Sequence, residues 1–419
     1  MADFATNVGA IPHLDIAINP EGANPRTEPD RIKDVVLQLF QVKEKSCGNA
    51  TNRAGLILTQ IQGGITNRLY KVDCNGMDMG AGLISRVPLL VRVYGEGSEY
   101  FIDRNVDEAV FAELTELGFG IDLIATLRDG RIEQFFEGGR TLTPDDLAKP
   151  HLSTLIAQNM CEMHALNISS CIPSASAECS QKHSVRCSRA SDTHAGTTPT
   201  PVLMSKLREW YQIAQSLKFD ADSADKNECV KATLYASLPL ERIGSDIETI
   251  IQAKVMSVPS PTVFCHNDLL AGNILVRGVC ETDIVFVDVE YAAYNPRGFD
   301  IGNHFCEYSG FDYSKFEVKY PNREVQMVFL KSYLKRQREI NSGSKASDTM
   351  GSDSEDEDSE LEALYHECNV YALASHLFWG LWAVIQARNS AVDFDYFKYA
   401  KARFESYFKE KARIFGDED

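Results

Sequence analysis

Apolar and polar positions divide the chain into a strand-rich beginning and a more helical remainder. From Arg31 to Val42 the apolar Val35, Val36, Leu39 and Phe40 recur at helical spacing. Paired strands are predicted next: Ala54–Gln62, a Gly63-Gly64 turn, then Arg68–Cys74. Leu89–Tyr94 reads as a short, mostly apolar strand interrupted by Arg92. Asp107–Leu117 returns to helical spacing through Val110, Phe111, Leu114 and Leu117. The first ~140 residues thus predict a small sheet with a helix against it. Leu152–Leu166 predicts another helix, and Ile274–Val276 and Asp283–Val287 predict short strands.

Three stretches lack any period. Residues 1–28, with Pro12, Pro20 and Pro25, predict a flexible arm. Residues 169–201 are rich in Ser, Thr, Cys and Pro and predict an insertion. Residues 341–360 carry seven acids (Asp348, Asp353, Glu355, Asp356, Glu357, Asp358 and Glu360) against Lys345, and predict a second, self-repelling insertion.

Composition narrows the function classes. The 419 residues include 42 Lys+Arg and 60 Asp+Glu, a formal charge of −18, which disfavours a nucleic-acid binder. With 44% hydrophobic and 24% charged residues the chain has the make-up of a globular protein. Its most apolar run, Leu377–Ile385, falls short of the about 20 residues of a membrane span. The start at Met1 lacks the basic and apolar segments of a signal peptide. Eleven scattered cysteines without a CxxC pair suit a reducing compartment, so a cytoplasmic location is expected. Cys171, Cys179 and Cys187 recur every eight residues, but no His pattern accompanies them as a zinc site would require.

The chemistry concentrates between Val263 and Tyr308. His266-Asn267-Asp268 is followed by Asn273, and a second acid, Asp288, ends a strand about 20 residues on. An H-x-D-x4-N loop followed by such an acid is the arrangement of kinase-like phosphotransferases. There the first Asp accepts the proton of the substrate hydroxyl, while the Asn and the second Asp hold the Mg²⁺ that bridges ATP phosphates. Upstream, the Gly63-Gly64-Ile65-Thr66-Asn67-Arg68 turn has backbone N–H groups able to cover a triphosphate. Arg92 could supply the strand cation, oriented by Glu108 on the next helix. Arg131 to Phe136 would then connect two lobes where the adenine ring lies.

Several strings resemble the choline/ethanolamine kinase family: Gly63 to Asn67, Arg131 to Phe135, His266 to Leu275, Asp288 to Asn295, Arg297 to Glu307 and Ser375 to Trp382. The resemblance runs from about residue 32 to 415, outside the two insertions. It implies an α+β, two-lobed protein-kinase-like fold, with a small β-rich lobe at 29–136 and a larger, mainly helical lobe at 137–419. It also implies phosphorylation of ethanolamine or choline from ATP with Mg²⁺, the first step of CDP-ethanolamine or CDP-choline phospholipid synthesis. Carried over residue by residue, the proton acceptor is Asp268 and the metal ligands are Asn273 and Asp288. The nucleotide is met by Gly63, Gly64, Ile65, Thr66, Asn67, Arg68, Leu69, Arg92, Gln134 and Asp288. The amino alcohol is met by Asp268, Tyr291, Glu307, Trp379 and Trp382. An ammonium between two rings at i, i+3 with a carboxylate nearby has independent physical sense.

The branch stays open. Gly63 to Asn67, Asn267 to Leu270 and Asp393 to Tyr396 look more like ethanolamine kinases, whereas Gln134 and Arg297 to Glu307 look more like choline kinases, and Pro296 fits neither. Dual activity and a homodimer are both compatible with the resemblance. An aminoglycoside-type kinase would keep Asp268, Asn273 and Asp288 but would not need Trp379 and Trp382. A non-catalytic scaffold would need none of them.

Overall fold

The computed structural model describes residues 11–20, 24, 27–43, 55–61, 67–73, 88–95, 101–171, 199–278, 280–311, 319–342, 354–390 and 392–416. Backbone contacts divide the chain into two units. Residues 1–155, 270–290 and 386–396 form one, and residues 156–269, 291–385 and 397–419 the other. The β-rich unit therefore also takes in stretches from beyond residue 136.

In the first unit, β1 (His13–Leu14), β2 (Ile57–Ile61), β3 (Asn67–Asp73), β4 (Leu89–Tyr94), β5 (Leu123–Leu127) and β6 (Gly130–Gln134) make one sheet. Its order is β1-β5-β6-β4-β3-β2, antiparallel except for β1 beside β5. Helix α1 (Glu28–Lys43) joins the sheet's core through Ile32, Val35, Val36 and Leu39, together with Val91, Val93 and Ile132. Because strand side chains alternate, burying Val91 and Val93 in that core turns Arg92 to the other face. Helix α2 (Arg104–Glu116) begins at Asp103, whose carboxylate accepts from the Asn105 and Val106 amides. A second sheet joins β7 (Gly139–Thr141), β9 (Ile274–Arg277) and β10 (Asp283–Phe286), all antiparallel.

The expected flexible arm is docked over residues 11–20. His13 and Leu14 pair with Thr126 and Leu127, Ile18 is wholly buried, and the Asp129 carboxylate accepts from the Ile18 and Asn19 amides. Its apolar residues are too few to show a period, so the contacts that fix it are long-range.

The second unit is mainly helical. Helix α4 (Pro150–His164), which follows the short α3 (Pro144–Leu147), ends in it. Next come α5 (Leu203–Ser216), α6 (Lys226–Ala236) and α7 (Leu240–Asp246), the last running into a π-helical stretch at Ile247–Val255. Strand β8 (Thr262–Cys265) pairs antiparallel with β11 (Ala293–Pro296), which leads directly into α8 (Arg297–Cys306). Helices α9 (Arg323–Ser342), α10 (Ser354–Asn389) and α11 (Tyr396–Phe415) complete the described elements. A Cβ at Gly302 of α8 would meet the Cys368 carbonyl oxygen at 2.4 Å, so α8 and α10 approach backbone to backbone only with glycine there.

Helix α10 differs twice from expectation. Its length and composition would allow a membrane crossing, yet its most apolar window is entirely buried within the fold. It also begins inside the acidic stretch, so residues 354–360 are helical. Glu355, Asp356 and Glu357 occupy the first turn, where the helix dipole favours acids, and Arg338 pairs with Glu357 at 2.8 Å and Glu360 at 2.7 Å. Residues 343–353, and 172–198 of the Ser-rich stretch with Cys179 and Cys187, lie outside the described residues.

Candidate active site

The second unit carries the loop that follows β8. Asn267 adopts φ 66°, a left-handed conformation that asparagine tolerates better than most residues. Its side chain is held at both ends: Nδ2 donates to the Tyr291 carbonyl at 2.9 Å, and Oδ1 accepts from Asn295 at 2.9 Å. Helix α8 supports the loop from one face, with Asp300, Asn303 and His304 at i, i+3 and i+4. Asp300 accepts from the His266 and Asn267 amides at 2.9 and 2.7 Å. Asn303 Nδ2 donates to the Asn267 carbonyl at 3.1 Å, and His304 Nδ1 donates to the Leu269 carbonyl at 2.8 Å. Four backbone groups on either side of Asp268 are thus satisfied by one helix.

The supporting groups are themselves fixed. His164 lies 3.0 Å from Asp300 through Nε2 and 2.8 Å from the Tyr333 hydroxyl through Nδ1. Burial pushes the Asp300 carboxyl up, but the His164 bond and the nearby imidazoles hold it below its usual range. Burial depresses His304 to about 4 and His376 to about 3, keeping both neutral. Donor atoms of His164, Cys265 and Asp300 lie within 4.8 Å of one another. They are a poor metal set, because burial keeps the Cys265 thiol protonated and Asp300 is engaged by the loop.

An aromatic group follows in the same unit. The Tyr291 and Trp379 rings are 5.2 Å apart and those of Trp379 and Trp382 5.6 Å, both edge to face. The Trp382 indole donates to the Tyr291 hydroxyl at 3.0 Å, and the Trp379 indole to Asn303 Oδ1 at 2.8 Å. Tyr399 of α11 extends the group, 6.4 Å from Trp382. Glu307, which the sequence offers as an acid for an ammonium, is buried and paired with Arg403 at 3.1 Å. Burial raises the Glu307 carboxyl and lowers the Arg403 guanidinium, each opposed by the partner's charge. Asp268 and Glu307 both act electrostatically on Tyr399 and on Arg403, so these residues tie the loop acid to the aromatic group.

The first unit holds the charged residues. Arg92 and Arg131 face each other across β4 and β6, a repulsive placement for like charges. The Glu133 carboxylate lies between them, accepting from Arg92 at 2.9 Å and Arg131 at 2.6 Å. Arg131 reaches Asp107 at 2.8 Å, and Arg104 joins Asp107 to Glu290, each at 3.1 Å. Asn67 donates to Glu290 at 3.4 Å, and Arg92 donates to Asp288 at 3.1 Å. Burial and the Asp288 charge raise the Glu290 carboxyl, while Asp288 and Glu133 outweigh burial to raise Arg92. Asp288 has φ 64°, and the preceding Val287 amide donates to the Asn273 carbonyl at 3.0 Å, which puts the backbones of the two expected metal ligands side by side.

Other expected residues fall elsewhere. Glu108 does not orient Arg92: it accepts from the Tyr94 hydroxyl at 3.2 Å, and Glu133, from the neighbouring strand, takes the role. Arg68 is bound to Glu28 at 2.9 Å, at the start of α1. Leu69 lies on β3 opposite Arg92. Gln134 ends β6, its side chain accepting from the Asp122 amide at 3.4 Å. Gly63, Gly64, Ile65 and Thr66 lie outside the described residues. Sequence reasoning missed Asp300, Asn303, His304, Arg131 and Arg403. A signal was available for the first three: polar residues on one face of an otherwise apolar helical stretch.

The sequence pattern of the choline/ethanolamine kinases matches residues 58–408. A probable ethanolamine kinase A of Dictyostelium discoideum is 33% identical over 356 residues, covering 84% of this chain and 85% of the relative. Ethanolamine kinase 1 of Mus musculus is 29% identical over 404 residues, 96% of this chain and 94% of the relative. Among solved structures, a Plasmodium vivax ethanolamine kinase superposes with a TM-score of 0.69 at 24% identity, covering 93% and 92% of the two chains. A choline kinase from Cryptosporidium parvum Iowa II gives 0.64 at 25% identity, with 92% and 96% covered. The fold is thus the protein-kinase-like one, with a β-sheet N-terminal part and a mainly helical C-terminal part.

Proposed function

The chain belongs to the choline/ethanolamine kinase family and phosphorylates the hydroxyl of such an amino alcohol; we propose that ethanolamine is its preferred acceptor, MgATP its donor, and Asp268 the group that takes the hydroxyl proton. The observation that carries the preference is the buried Glu307–Arg403 pair. A quaternary ammonium has no N–H and depends on ring faces and a net negative field. Arg403 offsets that field. A primary ammonium instead donates hydrogen bonds to oxygens such as those of Glu307 and Tyr291, and these short-range bonds survive the counter-charge. The names of the Dictyostelium and mouse relatives support the same choice.

The residues of the first unit fit a magnesium ion. Asn273 and Asp288 offer the hard oxygen donors it prefers. The network around Asp288 sets the guanidiniums of Arg92, Arg104 and Arg131 against the four carboxyl groups of Asp107, Glu133, Asp288 and Glu290. Carboxyl groups outnumber guanidiniums by one in this network, an excess that a bound cation would offset. When present, the ion offsets charge on the phosphate oxygens. Asn273 and Asp288 would hold it, and Arg92, oriented by Glu133, would face the phosphates.

In the second unit, Asp268 receives the proton as the alcohol oxygen attacks, and Tyr291, Trp379 and Trp382 enclose the ammonium end. The product, a phosphorylated amino alcohol, would serve head-group activation in phospholipid synthesis, a reaction set expected in the cytoplasm. An ADP-release assay with ethanolamine tests the assignment. Asp268→Asn should lower kcat by at least ~10²-fold, with the ATP KM and melting temperature near those of the wild type. Near-normal turnover in this variant would refute Asp268 as the proton acceptor.

A further inference from the structure

We infer that Asn303 is a positioning residue that locks the Asp268 loop to the amino-alcohol pocket; the inference rests on the proposed role of Asp268. Asn303 is fully buried and its amide is used on both sides. Nδ2 donates to the Asn267 carbonyl, one residue before Asp268, at 3.1 Å. Oδ1 accepts from the Trp379 indole at 2.8 Å and the Ser375 hydroxyl at 2.7 Å. Ser375 Oγ in turn accepts from Arg403 at 2.7 Å, and Arg403 donates to Glu307 at 3.1 Å. One hydrogen-bonded path therefore runs from the loop backbone to an aromatic wall of the pocket and to its buried acid.

The direction of the amide is dictated by its neighbours. Turned over, it would set oxygen against the Asn267 carbonyl and N–H against the indole N–H, leaving buried groups unpaired. The Asn267 backbone, at φ 66°, lies outside the broad basins, and bonds on both its N–H and its carbonyl favour that conformation. Asn303 holds its carbonyl while Asp300 holds its N–H. A displacement of Trp379 would thus pass to the loop through the Asn303 side chain, beside the Tyr291 contact, and displacements near 1 Å cost about 10²-fold in rate.

Asn303→Asp tests this directly, because it keeps the acceptor for Trp379 and Ser375 but sets an oxygen against the Asn267 carbonyl. The expected result with ethanolamine is a kcat about 10²-fold lower and a KM within about threefold of wild type, as expected when uniform binding is kept. Ser375→Ala and Trp379→Phe provide a second route should Asn303→Asp fail to fold. Each leaves Asn303 in place and removes one donor to its oxygen. Each should lower kcat about fivefold, and the double variant should fall short of the product of the two, because both act through one amide. The inference is overturned if Asn303→Asp keeps kcat within about twofold, or if Ser375→Ala and Trp379→Phe raise KM alone. Measured beside them, Asp268→Asn separates the two levels: retained turnover there defeats the proton-acceptor assignment itself, whatever Asn303 does.

Discussion

Around Asp268 most supporting groups are neutral. Asparagine amides, a neutral His304 and backbone N–H and C=O groups meet in short directional bonds, with Asp300 the one charged member. Around Asp288 the supports are almost all ionic: Arg92, Arg131 and Arg104 alternate with Glu133, Asp107 and Glu290, nearly all buried. The mostly neutral cradle fixes the position of Asp268 by directional bonds, with Asp300 the one carboxylate among the groups that bond the loop. The ionic lattice fixes Arg92 and leaves an excess of acid, which suits a site for phosphates and a cation. The two regions should therefore fail differently.

The largest effect is expected in the ionic region. Glu133→Ala leaves Arg92 and Arg131 buried and opposed, and breaking such a pair costs about 3–5 kcal/mol. Urea unfolding should show that loss, and the ATP KM should rise as Arg92 loses its orientation. In the neutral region Tyr333→Phe, which removes one bond to His164, should cost about 1 kcal/mol by the same measurement. Equal losses would erase the distinction.

Acid should weaken the neutral region next. His304 sits at about 4 in the folded chain against an ordinary 6.5. As pH falls below about 6.5 the unfolded chain takes up a proton that the folded chain refuses until about 4, so stability is lost across that window. The loss for His304 alone is about 3 kcal/mol, and His376, at about 3, adds to it. Unfolding free energies measured from pH 7 to 4 should fall, and less steeply in His376→Gln. A flat profile would mean that these imidazoles are not held neutral.

Trp382→Ala should raise the choline KM roughly 5- to 30-fold, the worth of one ring at about 1–2 kcal/mol, and the ethanolamine KM less. Equal changes for both alcohols would make Trp382, with its bond to the Tyr291 hydroxyl, a shaper of the pocket rather than a contact of the ammonium. Arg338→Ala, which frees the exposed acids Glu357 and Glu360, should change the melting temperature least, since surface pairs contribute at most about 1 kcal/mol.

Much of this was legible in the residues. The alternation that buries Val91 and Val93 leaves Arg92 on the opposite face, and the H-x-D-x4-N spacing points to Asp268 and Asn273 without any coordinates. Glu133 was not legible as the partner of Arg92, because strand pairing across some 40 residues decides it, while Glu108 looked nearer on a predicted helix. The docking of residues 11–20 and the partnership of Glu307 with Arg403 likewise depend on contacts between distant segments. Residues 354–360 read as a self-repelling tract because a charge count cannot register the helix dipole or Arg338.

The preference for a primary ammonium is tested most directly by kcat/KM for ethanolamine and choline, measured side by side on the wild-type enzyme at saturating MgATP. With the Glu307 field offset by Arg403, the ethanolamine value should exceed that for choline by about tenfold or more, the worth of one charge-assisted hydrogen bond. A choline value equal to or above that for ethanolamine would contradict it.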